Sequence, residues 1–124
     1  MVAVRDKATR DQLSAMNAAV MGTDRDPFYG APCVIVVLAD PGYPTWVEDG
    51  SLVLGNLLNA AHAEHLGSCW INRAREMFDT QEGKALLGKW GIPEHYRGIG
   101  CCILGYADET PAPKERAANR ILKI

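Results

Sequence analysis

Residues 49–71, DGSLVLGNLLNAAHAEHLGSCWI, constrain the fold more than any other stretch of this chain. Asp49 suits a helix N-cap, where a carboxylate accepts from the free N–H groups of the first turn. The run behind it is apolar on more than one face, through Leu52, Val53, Leu54, Leu57, Leu58, Ala61 and Leu66. Gly67 supplies a C-terminal stop, and Cys69-Trp70-Ile71 follows as a short apolar piece. A helix apolar on several sides has to be covered on several sides. A chain of 124 residues offers few places to hide one, unless a second subunit covers part of it.

The length fits one domain, so residues 1–124 read as a single unit. A net charge of -2 leaves no electrostatic footprint for nucleic acid. The lysines and arginines are scattered, without a block that would favour a membrane surface. No apolar run is long enough to span a bilayer, and Arg5, Asp6 and Lys7 interrupt any signal-peptide pattern. Cys33, Cys69, Cys101 and Cys102 form neither a C-x-x-C pair nor a zinc-ligand spacing. Adjacent Cys101 and Cys102 sit in an apolar run, which favours buried free thiols and a reducing, cytoplasmic location.

Residues 1–5 read as a short strand with nothing leading into it, and residues 7–20 as a helix with Leu13, Met16, Ala19 and Val20 in phase. A loop rich in Gly, Asp and Pro occupies 21–30. Residues 31–38, APCVIVVL, form an unbroken β-branched run that suits a strand buried on both faces. After the central helix, 73–78 and 82–90 look helical, and 99–106 reads as another buried strand. The tail from 107 is polar, with Pro111 and Pro113, and ends in the apolar 121–124, a candidate last strand. The order is strand, helix, strand, helix, two short helices, strand, tail and strand.

Several constellations invite chemistry, and each has a plainer reading. His62, Glu64 and His65 share a helix region, but zinc needs three or four converging ligands, and only His95 remains as a third histidine. Gly98-Ile99-Gly100 starts like a dinucleotide fingerprint, yet its glycines precede a strand and no helix N-terminus follows. Cys69 lies near both histidines in sequence, while packing beside Trp70 explains it as well. Trp46, Trp70 and Trp90 are the largest apolar side chains, and Trp70 suits either the core or a flat-ligand pocket. Lys114 and Arg116, two apart on an extended segment, point the same way and suit a phosphate; a solvated tail is the plainer reading.

Taken in order, the pieces resemble a known family. The run 31–37, the helix, Leu66-Gly67-Ser68-Cys69-Trp70-Ile71, Glu82-Gly83-Lys84-Ala85-Leu86-Leu87, Gly91-Ile92-Pro93 and Leu104-Gly105-Tyr106 resemble the FMN-dependent nitroreductases, as do the prolines before Lys114 and Arg116. The resemblance implies an α+β fold with a mainly antiparallel sheet flanked by helices. It also implies an obligate homodimer with exchanged C-terminal segments, the long central helix at its interface and FMN in clefts between subunits. The implied chemistry is ping-pong: NAD(P)H reduces FMN, and the flavin reduces a small nitroaromatic or quinone-like acceptor. No protein nucleophile and no metal are needed. By this resemblance Cys69, Trp70, Ile71 and Asn72 run along the flavin edge, with an N–H aimed at N5, and Lys114 and Arg116 bind the FMN phosphate.

The family's leading helices, with an Arg-rich motif and a Ser/Asn-containing loop, have no counterpart in these residues. The resemblance therefore predicts a domain truncated at its N-terminus. A non-catalytic, dimerising remnant that has lost flavin binding is the alternative.

Overall fold

The computed structural model describes residues 1–124. The elements run β1 (Val2–Val4), α1 (Lys7–Met21), β2 (Cys33–Ala39), α2 (Trp46–Ala63), β3 (Gly67–Ile71), α3 (Ala74–Asp79), α4 (Gln81–Lys89) and β4 (Arg97–Gly105). The four strands make one antiparallel sheet in the order β1-β2-β4-β3. Helices cover both of its faces, so the fold is the expected α+β type.

The apolar runs at β2 and β4 become the two central strands because each has a partner on both edges and a covered layer on both faces. One face carries Val34, Val36, Cys101 and Ile103 and packs against Leu13, Met16, Phe28, Met77, Phe78, Leu86 and Leu87. Helices α1, α3 and α4 supply most of that layer. The opposite face carries Val37 and Cys102 and is covered by α2 through the fully buried Leu54. Two glycines let α2 lie close. A Cβ on Gly50 would come within 2.4 Å of Ile99 Cγ1, and one on Gly100 within 2.5 Å of Trp70 Nε1. Gly98 does the same for α3, since a Cβ there would meet the Ala74 carbonyl oxygen at 2.2 Å. The glycines at 98 and 100 therefore serve packing within a strand.

Helix α1 starts where Asp6 accepts from the Thr9 N–H at 2.9 Å, and it ends at Gly22 in the left-handed region. Helix α2 departs from expectation at both ends. It begins at Trp46, so Asp49 is no N-cap; its carboxylate instead accepts from the Thr45 hydroxyl at 2.8 Å, inside the first turn. It ends at Ala63, and the chain turns through His65 at φ 58°, which leaves Gly67 as the first residue of β3 rather than a helix stop. The short apolar piece at 69–71 is thus part of a five-residue strand. At the other end of the chain, 121–124 forms no strand: the tail from Ala107 carries no helix or ladder and is exposed throughout.

The apolar surplus of α2 is visible in the fold. Only Gly50, Leu54 and Ala61 are buried on it. Leu52 is 68% exposed, and Val53, Leu57 and Leu58 are half-buried, so one chain leaves a flank of this helix uncovered. No helix is long and apolar enough to cross a membrane.

Candidate functional site

Strand β3 is an edge strand. It pairs with β4 on one side and leaves the backbone groups of its other side without a strand partner. Asn72 and Arg73 link it to α3. Arg73 holds φ 76° and ψ 8°, a left-handed conformation that a residue with a Cβ adopts at a cost, and its carbonyl accepts from the Met77 N–H at 3.0 Å. The N–H groups of Asn72 and Arg73 donate no hydrogen bond within the chain. Two consecutive donors thus lie free at the end of an open strand edge, with Asn72 exposed and Arg73 half-buried.

One other contact shapes this corner. Asn17, fully buried on α1, donates from Nδ2 to the Asn72 carbonyl oxygen at 2.7 Å and lies 3.2 Å from Met77 Sδ. Its Oδ1 has no partner. Asn17 escaped attention in the sequence because it sits among apolar residues of the helix. The available signal was its phase, since it lies four residues after the buried Leu13.

The expected residues are distributed as follows. Cys69 is exposed on β3, and Ile71 is buried against the first core layer. Trp70 faces α2, beside Leu54 and Gly100, with its Nε1 buried and unpartnered. Residues 69–72 thus form one strip of backbone along β3 and out of its end, with side chains in different surroundings. Lys114 and Arg116 stand on the exposed tail and make no ion pair or hydrogen bond with the body, so a single chain does not bring them to the strip.

A cleft of about 510 Å³ opens at the far end of β3, between Gly67–Cys69, Tyr29–Pro32 and the start of the tail. Asp108 and Glu109 line it, which makes that end a poor phosphate cradle. A second hollow, of about 420 Å³, is bordered by Arg5, Lys7 and Arg10. There Lys7 pairs with Asp11, and Arg10 is held by Asp26 and the Ala31 carbonyl, so Arg5 is the only unengaged cation.

Asp26 anchors the loop before β2. Its burial works to raise its pKa, but donors from the Ser14 hydroxyl, Arg10, and the Gly30 and Phe28 N–H groups win and hold it well below the usual carboxylate range. Each of these bonds lies between 2.5 and 2.8 Å.

The thiols offer no nucleophile in the core. Burial, with Cys102 alongside, pushes Cys101 up to about 12, and burial, with Cys69 and Cys33 nearby, pushes Cys102 up to about 11. All four cysteines are free. His62 and His65 are both exposed, and no three His, Cys, Asp or Glu side chains converge on a point.

The geometry suits the polar edge of a flat ligand: two adjacent backbone donors, an open strand edge, and a buried side chain behind them. Comparison with known proteins gives the family and the fold. The model of the nitroreductase family matches residues 2–106. A Methanothermobacter thermautotrophicus protein, provisionally named NADH dehydrogenase/NAD(P)H nitroreductase, is 35% identical over 91 residues, covering 68% of this chain and 45% of that protein. An Archaeoglobus fulgidus protein of the same provisional name is 34% identical over 111 residues, covering 85% and 59%. The chain thus spans about half the length of the curated relatives it matches. A Bacteroides fragilis nitroreductase crystallised with bound FMN superposes with a TM-score of 0.85 at 25% identity, over 98% of this chain and 73% of that one.

Proposed function

The chain belongs to the nitroreductase family, and from that premise we propose that it binds FMN along residues 69–73 and acts as an FMN-dependent NAD(P)H oxidoreductase. The observation that carries this reading is the pair of adjacent, unpaired N–H groups of Asn72 and Arg73 at the end of an edge strand. A flavin presents the acceptors N5 and O4 side by side on one edge, at a spacing that two consecutive backbone donors can meet. When bound, FMN supplies the redox chemistry, taking electrons from NAD(P)H and passing them to a nitroaromatic or quinone-like acceptor. The chain's own part is to hold the ring edge, to keep it in one orientation and to limit water on the side that faces the sheet.

The basic pair has its role in an assembly of two copies. Lys114 and Arg116 carry the charge a phosphate needs, and the tail they stand on does not pack on its own chain. The uncovered flank of α2, with Leu52, Val53, Leu57 and Leu58, calls for a partner, and a second copy offers the same apolar flank. A homodimer with exchanged tails meets both needs. Four free thiols suit a reducing compartment such as the cytoplasm.

Titrating FMN into the purified chain tests the proposal. Saturable binding with a shifted visible band is expected, followed by bleaching on anaerobic addition of NADH or NADPH. A chain that stays colourless after FMN addition and gel filtration ends the reading. The second reading, a dimerising remnant without flavin, is favoured by the separation of Lys114 and Arg116 from the strip within one chain. It predicts a dimer that leaves FMN free.

A further inference from the structure

We infer that Asn17 is a positioning residue for the flavin-facing peptide between Asn72 and Arg73. The inference rests on the proposed site and names a residue, far from it in sequence, on which its geometry depends. Asn17 is fully buried in the layer formed by Leu13, Met16, Ala74 and Met77, where an apolar side chain would satisfy packing. An amide there leaves one polar atom stranded, and its Oδ1 has no partner. The other half of the amide is committed: Nδ2 donates to the Asn72 carbonyl at 2.7 Å. Turning the amide over would set oxygen against oxygen, so the donor assignment follows from the contact itself.

Peptide planarity gives this one bond its reach. In a trans unit the carbonyl of Asn72 and the N–H of Arg73 point in opposite directions. A carbonyl held toward the buried Asn17 therefore turns the Arg73 N–H away from the core, to the side where the donor finds no acceptor in the chain. The same bond bears on the left-handed φ of 76° at Arg73, because that dihedral begins at the plane Asn17 fixes. Asn17 touches neither the proposed cofactor nor a reacting atom. It acts through the backbone, as a brace between α1 and the end of β3.

The test compares the unmodified chain with Asn17→Leu, which removes the donor and the stranded oxygen together, and Asn17→Asp, read at a pH high enough to ionise it, whose carboxylate keeps the shape but cannot donate. Three quantities are read: the FMN dissociation constant, the reduction potential of the bound flavin, and the melting temperature without FMN. For Asn17→Leu a dissociation constant raised about tenfold is expected, the size of one lost hydrogen bond. The potential should move toward that of free FMN, and the melting temperature should hold or rise. A purely structural role would lower the melting temperature and leave the reduction potential of the bound flavin unchanged, which overturns the inference. Where the variants do not fold, nitrogen-15 NMR of the unmodified chain decides: FMN addition should shift both the Arg73 amide and the Asn17 side-chain amide. A shift at Arg73 alone overturns the inference. If the unmodified chain binds no FMN, the flavin reading itself fails; if it binds and Asn17→Leu matches it in all three readouts, only the assignment to Asn17 falls.

Discussion

Asp26 shows how much a single loop carboxylate can hold together. It accepts from Arg10 on α1, from Ser14 one turn later, and from two backbone N–H groups of its own loop. Replacing it with Ala leaves the Arg10 guanidinium, whose side chain is only 11% exposed, with the Ala31 carbonyl and Asp11 alone, and should cost about 2 kcal/mol, with solvent screening at the partly open carboxylate already discounted. The sign of the pH dependence follows from the depressed folded pKa. The contribution is complete above the unfolded carboxylate value near ~4 and is lost as pH falls from there toward the folded value. Urea midpoints of the parent and Asp26→Asn should therefore differ most at neutral pH and converge on acidification below about pH 4. A constant gap across that range would show that Asp26 does not titrate as described. The sequence marks residues 21–30 as a loop but does not say which of Asp24 and Asp26 anchors it, because the deciding partner, Arg10, lies 16 residues back on a helix. Asn17 was hidden in the same way, by partners 55 and 60 residues away.

At the level of elements, local pattern located the helices and the two central strands, because burial on one or both faces writes a period into the chain. Element edges and pairings were less legible. Strand β3 holds Gly67 and Ser68 before its apolar end, so it lacks a five-residue β signature, and only its ladder with β4 makes it a strand. Its place at the edge of the sheet, on which the proposed site depends, is a non-local fact. The Gly98-Ile99-Gly100 motif resolves at this scale too, since both glycines admit neighbouring elements. Gly100→Ala tests the close approach of α2. The added Cβ would lie 2.5 Å from Trp70 Nε1 and 2.8 Å from Leu54 Cδ1, so helix and indole must both shift. A loss of about 1–3 kcal/mol is expected from overpacking, read as a lowered urea midpoint with an unchanged slope. Gly55→Ala on the same helix meets nothing within 4 Å and should stabilise or leave stability unchanged, which separates crowding from a general intolerance of Ala.

For the whole molecule, the body and the tail follow different rules. Residues 2–105 hold every strand and helix, whereas the tail carries four cations, Lys114, Arg116, Arg120 and Lys123, and the exposed Ile121, Leu122 and Ile124 with nothing of its own chain to pack on. Family membership and the α+β fold were legible from ordered motifs, because all of those motifs but the tail prolines lie in the body. What the tail touches was not, since an extended polar segment has no period and its partner is another surface. Comparing FMN with riboflavin, which shares the ring but lacks the phosphate, isolates the tail's contribution. If Lys114 and Arg116 hold the phosphate, the unmodified chain should bind FMN more tightly than riboflavin, with a preference that weakens as salt rises. Exchanging both for Ala should raise the FMN dissociation constant about 10- to 100-fold, the loss of one or two charge-assisted bonds, and leave riboflavin binding where it was. Equal losses for both ligands would mean that the tail supports the fold or the dimer rather than the phosphate. Equal binding of FMN and riboflavin by the unmodified chain would mean that neither this pair nor any other group of the chain holds the phosphate.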